Sequence, residues 1–266
     1  MEIRNEGAWE EINRNRDFMK FDFSNTSLKS DVKSDQDKKL PQPPLGNACK
    51  GKIIELQSDF EHDMENISYA NLLDIRRSER VFNADIPMTQ TQLAFLLWST
   101  QGVQKIHGNN YCTFRPVPSG GARHSFELYF IARAVEGLKQ GIYRYAPFEH
   151  VGEKRAAVEL ISEIDDCESK ILELFLGYKG PENASVILLL SCVAYRSEWR
   201  YGTFAHRAML IDLGHVGQNI MLSASAMGLG SCCYAAYDQD LCDRILCIDG
   251  YEEYTVYACT VGSIRK

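Results

Sequence analysis

The sequence predicts an α+β fold, and three observations carry that prediction. ASVILLLSCVAY (184–195) is apolar on both faces, as a strand buried in the middle of a sheet must be. AHRAMLIDLGHVGQNIMLSASAMGLG (205–230) repeats apolar and small residues at steps of three and four, the spacing of a long packed helix. The elements run helix, helix, hairpin, helix, buried strand, long helix, strand, which is not the alternation that builds a parallel α/β sheet.

Taken in order, residues 1–50 are polar and charge-rich and end in LPQPPLGNACKGK, where Pro41, Pro43 and Pro44 favour extended backbone. They read as an N-terminal arm, with the domain proper over 51–266. ISYANLLDI (67–75) has a short helical pattern with Ser68 as N-cap. In MTQTQLAFLLWSTQG (88–102), Thr89 and Gln92 have capping-box spacing, Leu93, Leu96 and Leu97 line one face, and Gly102 is a natural stop. SFELYFIARAV (125–135) and GIYRYAP (141–147) are aromatic and β-branched, joined through glycine, and read as paired strands. EKRAAVELISEIDDCESKILELFLG (153–177) has helical spacing and an acidic surface, and YTVYACTVG (254–262) reads as a final strand. In the long helix, Leu210, Leu213, Gly217, Ile220, Ala224 and Met227 form a seam fit for a neighbouring subunit or for the chain's own core.

The 266 residues are 45% hydrophobic and 24% charged, ordinary values for a folded chain. A net charge of −7 argues against an extended nucleic-acid footprint. The nine cysteines are odd in number and lack CxxC spacing, which fits reduced cytosolic thiols better than a disulfide framework or a zinc site. MEIRNEGAWEEINRNRD has acidic residues where an export signal carries basic ones. The longest apolar run, VILLL (186–190), is far short of the roughly 20 residues that span a bilayer. A cytoplasmic protein is expected, with neither membrane nor nucleic acid as partner.

Against this acidic background RRSERVF (76–82) stands out. Arg76, Arg77, Arg80 and Ser78 can give a phosphate charge-assisted hydrogen bonds worth roughly 1.5–3 kcal/mol each, the plain alternative being a solvated charge cluster. In RPVPSGGARH (115–124), Gly120 and Gly121 let backbone amides approach a flat or anionic ligand and Ser119 adds a hydroxyl, though a turn alone explains the same residues. The glycines of GLGSCCYAAYD (228–238) close a helix rather than open one, which excludes a Rossmann fingerprint and leaves a helix stop or a cofactor wall. His206 and His215 are nine residues apart, wrong for a helical zinc pair. Asp212, one turn before His215, could orient its imidazole, but no nucleophile completes a triad.

The stretches SDQDKKLPQPPL, IRRSERVF, LLWSTQGV, RPVPSGGARH, ELYF, GIYRYAP, HRAMLIDLGHVGQNI, GLGSCCYAAYD and VGSIRK, in that order along most of the chain, resemble the FMN-dependent nitroreductases, and within them the SagB/azoline-oxidase-type branch. The resemblance implies a nitroreductase-like fold, a central mixed or antiparallel sheet flanked by helices, in an interlocked homodimer with FMN at the subunit interface. It implies that Arg76, Arg77, Ser78, Arg80 and Arg265 hold the FMN phosphate. Pro118, Ser119 and Gly120 match the loop that reaches the flavin from the other subunit, and Gln218 is assigned to the cofactor with them. Leu229, Gly230, Cys233, Tyr234, Ala235 and Ala236 match the segment along the isoalloxazine ring. The implied activity is hydride transfer through flavin N5 on a small or peptide-borne substrate, with NAD(P)H as a candidate electron donor. The alternative is a catalytically silent flavin-binding scaffold of a peptide-modifying complex. Azoline oxidases of this branch use a Lys-Tyr-Gly segment in catalysis. Here EWRYGTFAHRA (198–208) keeps Tyr201 and places Arg200 at the lysine position. Arginine stays protonated and is a poor general base, so Arg200 is assigned to an anionic substrate or a nearby carboxylate.

Overall fold

The apolar run at 186–190 sits where its composition requires, on β7 (Val186–Val193), with Ile187, Leu188, Leu189 and Leu190 at most 1% exposed. In the computed structural model, which describes residues 6–20, 33–60 and 67–265, β7 lies within a seven-stranded sheet. Its order is β1 (Ile53–Glu55), β6 (Ala157–Glu163), β5 (Gly141–Tyr145), β4 (Phe126–Ala132), β7, β9 (Glu253–Gly262) and β8 (Gly230–Tyr234). Every neighbouring pair is antiparallel, which resolves the expectation of a mixed or antiparallel sheet. A small hairpin, β2 (Lys105–His107) with β3 (Cys112–Phe114), stands apart.

Both faces of the sheet are covered, which is why β4 and β7 carry apolar residues on both faces rather than alternating, with Glu127 and Ser191 as buried polar exceptions. Leu128 and Phe130 with Leu188 and Leu190 face one core, shared with α3 (Gln90–Gln101) and α6 (Ala205–Ala226). Tyr129 and Ile131 with Ile187 and Leu189 face the other, shared with α4 (Cys167–Leu174) and α7 (Gln239–Ile245). Further α-helices among the described residues are α1 (Glu6–Met19), α2 (Tyr69–Ile75) and α5 (Tyr195–Tyr201). Ser68 caps α2 by accepting from Asn71 N, and Thr89 and Gln92 close a full capping box on α3, which ends at Gly102.

Two expectations are corrected. AVELISE within 153–177 is strand β6, not helix: its backbone groups pair with β1 on one side and β5 on the other, and that pairing outweighs the local helical spacing. Only Cys167–Leu174 is helical there, opened by the Asp166 carboxylate on Ser169 N. The cysteines are not all free thiols either. Cys233 and Cys259 face each other across β8 and β9 with Cα atoms 4.1 Å apart, and their sulfurs are bonded; an odd count without CxxC spacing carries no signal for a cross-strand pair.

The seam of α6 divides. Leu213, Gly217, Ile220 and Ala224 pack into the chain's own core, and Gly217 lies so close to Tyr257 that a Cβ would come within 2.8 Å of its ring. Leu210, with Ile211 beside it, is more than half exposed. Residues 33–51 run along the body rather than away from it. Gln36 N donates to Trp199 O (2.8 Å), Leu45 O accepts from Arg115, Ala48 O accepts from Arg144, and Lys50 N and Gly51 N donate to the Glu159 carboxylate. No helix among the described residues is long and apolar enough to cross a membrane.

Candidate functional site

The arginine stretch begins as the end of α2, where Arg76 N donates to Leu72 O (3.1 Å). The chain then runs extended alongside β8: Ser78 bridges Ser231, Glu79 N donates to Ser231 O (2.9 Å), and Phe82 bridges Ile264. This interleaving requires a glycine at 230, because a Cβ there would lie 2.8 Å from the Glu79 side chain and 3.0 Å from that of Ile264. Three sequence motifs, 76–82, 228–238 and the C-terminal VGSIRK, thus meet at one edge of the sheet. Arg80 and Arg265 wall a common cavity of about 400 Å³, and Lys179, which the sequence reading did not single out, joins them. Arg77 turns back on its own backbone, its Nη1 donating to Asp74 O (2.6 Å) and Arg76 O (2.8 Å). Ser231 Oγ, in a residue 1% exposed at the junction, has no hydrogen-bond partner among the described residues.

Further along β8, the Tyr234 ring packs edge-on against Phe175 with centroids 5.0 Å apart. Leu229 is buried, whereas Ala235 and Ala236 are exposed just beyond the strand. Gln218 is half-buried on α6.

A second group forms around the turn after Pro118. Gly121, Ala122 and His124 all have φ between 47° and 59°, unusual for the two that are not glycine. The turn is held from α6: both Asp212 carboxylate oxygens accept from Gly120 N, at 2.9 and 3.1 Å. Asp212 therefore faces the turn instead of orienting His215, which is exposed, and the Gly120 amide expected to be open to a ligand is committed to a carboxylate. Burial raises the Asp212 carboxyl above its usual range, while hydrogen bonds from Ser119 and Gly120 and the nearby His215 oppose the shift. Ser119 Oγ accepts from His124 N (3.0 Å). The His124 imidazole contacts Thr113 O at 3.1 Å, and burial, reinforced by Arg115, pushes its pKa down to about 3. It is neutral at physiological pH and cannot be the site's acid.

Arg200 and Tyr201 occupy the last turn of α5 and lie against this same turn. A Cβ on Gly121 would fall 2.5 Å from Tyr201 Oη and 2.8 Å from Arg200 Cδ. Arg200 Nη1 donates to the Tyr111 hydroxyl, which also accepts from Gln36 Nε2 (3.0 Å). Arg123 lies over the Tyr111 ring (4.8 Å) and the Trp199 ring (5.6 Å) and donates to Gly121 O (3.1 Å) and Tyr111 O.

The structure thus sorts the sequence-predicted residues into two groups: Ser78, Arg80, Gly230 and Arg265 in one, Ser119, Gly120, Arg200 and Tyr201 in the other. No hydrogen bond or ion pair among the described residues joins them within one chain. Tyr111 and Lys179 lie in none of the motifs quoted above, and Gln36 and Arg123 lie within SDQDKKLPQPPL and RPVPSGGARH without being singled out there. Asp212 carried a signal, as the only acid between 208 and 229.

Comparison with known proteins bears on both groups. Residues 73–263 match the family described as nitroreductase. A protein of Methanocaldococcus jannaschii described as a nitroreductase is 29% identical over 215 residues, 80% of this chain and 98% of that one. The trifolitoxin-processing protein TfxB of Rhizobium leguminosarum bv. trifolii is 27% identical over 161 residues, covering 55% of this chain and 39% of TfxB. Among solved structures, a protein of Ralstonia eutropha described as a nitroreductase shares the fold at a TM-score of 0.62 with 21% identity, over 85% of this chain and 95% of that one. One of Anabaena variabilis scores 0.60 with 24% identity, over 80% of this chain and 44% of its own longer chain. The Escherichia coli microcin synthetase McbBCD complex, with truncated pro-MccB17 bound, aligns at 0.58 with 16% identity over 92% of this chain and 83% of that one.

Proposed function

Because the chain belongs to the nitroreductase family, whose members are generally flavin-dependent oxidoreductases, we propose that it is an FMN-dependent oxidoreductase of the SagB type acting on a small or peptide-borne substrate in the cytoplasm. The observation that carries the reading is the meeting of Arg80, Arg265 and the glycine-tight strand at Gly230 on one sheet edge. Arg80, Arg265 and Lys179 outnumber Asp85 and Glu182 in the cavity wall, a positive balance that suits a phosphate, and the small backbone stretch from Gly230 to Ala236 suits a flat ring. The residues fit the cofactor that the family uses.

In this reading Arg76, Ser78, Arg80 and Arg265 hold the FMN phosphate, while Leu229, Gly230, Cys233, Tyr234, Ala235 and Ala236 border the ring. When bound, FMN supplies the hydride chemistry and the protein supplies position and local field. Pro118, Ser119 and Gly120, with Gln218, act across the interface of a homodimer, which reconciles two residue groups that do not touch within one chain. The exposed Leu210 and Ile211 of α6 are apolar surface that such a dimer would bury. Asp212 fixes the turn, Tyr201 presents its hydroxyl to the substrate, and Arg200 contacts the substrate beside it. Residues 1–50 act as an arm to the domain 51–266. NAD(P)H is the proposed electron donor.

The likeness to the trifolitoxin-processing protein TfxB and to the McbBCD complex with truncated pro-MccB17 bound favours a peptide-borne substrate. The second reading, a silent flavin scaffold in such a complex, is favoured by Arg200, a residue that cannot serve as a base. Purifying the chain, measuring bound flavin, and following its reduction by NAD(P)H and reoxidation by a quinone or nitroaromatic separates the two. Reduction and reoxidation support the enzyme; bound flavin that no donor reduces supports the scaffold; a colourless protein that takes up no FMN refutes both.

A further inference from the structure

The corner formed by the Gly121 turn, the end of α5 and the β2–β3 hairpin carries two positive charges whose hydrogen-bond and ring partners among the described residues are neutral. Arg200 donates to a phenol oxygen and lies 5.5 Å from the Tyr201 ring. Arg123, 3% exposed, donates to two backbone carbonyls and is sandwiched by the rings of Tyr111 and Trp199. Neither forms a salt bridge with a carboxylate among the described residues, although the nearby Arg196 has Glu127 and Arg144 has Glu159. Burial holds the Arg123 guanidinium below its usual range; Tyr111 opposes that shift and the neighbouring Arg200 adds to it, so the two cations sense each other. In a chain of net charge −7, a pair of guanidinium groups with no salt bridge among the described residues, beside the candidate catalytic tyrosine, is a recognition feature for an anion.

The Arg200 side chain is also held in place. Its anchor is Tyr111 Oη, and that oxygen is gripped in turn by Gln36 of the arm. The arm is fastened at this level by three further bonds: Gln36 N to Trp199 O (2.8 Å), Trp199 Nε1 to Leu40 O (3.0 Å) and Tyr195 Oη to Asp35 (3.1 Å). Arginine loses less freedom per bond when its planar fork is pre-set, so a fixed Arg200 discriminates charge better than a mobile one.

We infer that Arg200, positioned by Tyr111 and by Gln36 of the N-terminal arm, selects substrates that carry a carboxylate. This rests on the flavin-oxidoreductase reading for the reaction, but not for the recognition, which is a property of the chain itself.

The test uses the full chain and two probes of nearly the same size and shape, anionic benzoate and neutral benzamide, with dissociation constants measured by calorimetry with and without FMN. The inference expects benzoate to bind at least about tenfold more tightly. Tyr111→Phe and Gln36→Ala should each shrink that ratio several-fold with the thermal midpoint checked in parallel, and Arg200→Lys should retain more of it than Arg200→Gln. In turnover with NADH, the kcat/KM ratio of 4-nitrobenzoate to 4-nitrobenzamide should fall in step, a readout that general damage does not move because both acceptors suffer it alike. Equal binding of the two probes by the unaltered chain, or an unchanged ratio in Tyr111→Phe, overturns the inference. Charge-selective binding by a chain that takes up no FMN upholds the inference and sinks the flavin reading instead.

Discussion

Asp212 grips Gly120: a buried carboxylate on the long helix α6 accepts, with both its oxygens, the backbone N–H of the turn that carries Ser119. A hydrogen bond to a charged group contributes about 1.5–3 kcal/mol. Asp212→Ala should lower unfolding free energy by about that amount in a urea titration, and Asp212→Asn, which keeps one acceptor, by less. Equal stability of all three proteins would show that the turn is held by its own backbone.

The Arg80 cavity separates the arginines of RRSERVF by role. Arg80→Ala should weaken FMN binding roughly ten- to a hundredfold, whereas Arg77→Ala, whose Nη1 is spent on Asp74 O and Arg76 O, should cost less. Fluorescence titration of the two variants reads the difference. A larger loss from Arg77 would reverse the assignment.

Gly230 packs against Glu79 with no space for a methyl group. Gly230→Ala should destabilise the fold by about 1–3 kcal/mol through overpacking, and by displacing the 76–80 stretch should also weaken FMN binding. Thermal unfolding and cofactor titration report the two effects; a variant that is neutral in both would mean the stretch is free to shift.

His124 gives a pH signature. Its folded pKa is depressed from 6.5 to about 3 by burial and by Arg115, so the unfolded chain binds a proton between those values that the folded chain refuses. Stability from this group is complete above pH 6.5 and is lost as pH falls toward 3, roughly 3–5 kcal/mol in all. His124→Asn, which tolerates the positive φ at this position, should show a flatter decline in unfolding free energy over the same interval. Parallel slopes in the two proteins would place the acid sensitivity elsewhere.

Tyr201→Phe should reduce turnover while leaving flavin content unchanged, since the hydroxyl lies against the Gly121 turn and not at the Arg80 cavity. Equal loss of both would make the residue structural.

Much of this fold was legible because its signals are local. The Thr89–Gln92 capping box, the Ser68 cap and the two-faced apolar run of β7 each follow from a few neighbouring residues, and each occurs as read. β6 was not legible, because AVELISE supports either period and its neighbours β1 and β5 decide between them. The Cys233–Cys259 pair likewise depends on the register of two strands that are far apart in sequence. At the site, residue types with an obvious charge or a glycine pair drew notice, whereas Tyr111 and Gln36 acquire meaning only through Arg200, a contact across 89 residues for the first. Asp212 was seen but paired with the wrong neighbour, since the helical turn to His215 is visible in sequence and the approach of Gly120 is not.

The most direct measurement compares FMN with riboflavin, which lacks only the phosphate, in calorimetric titration of the apoprotein. If Arg80, Arg265 and their neighbours hold that phosphate, FMN binds one per chain and at least about a hundredfold more tightly than riboflavin. Equal affinities, or no heat with either, would contradict the phosphate site.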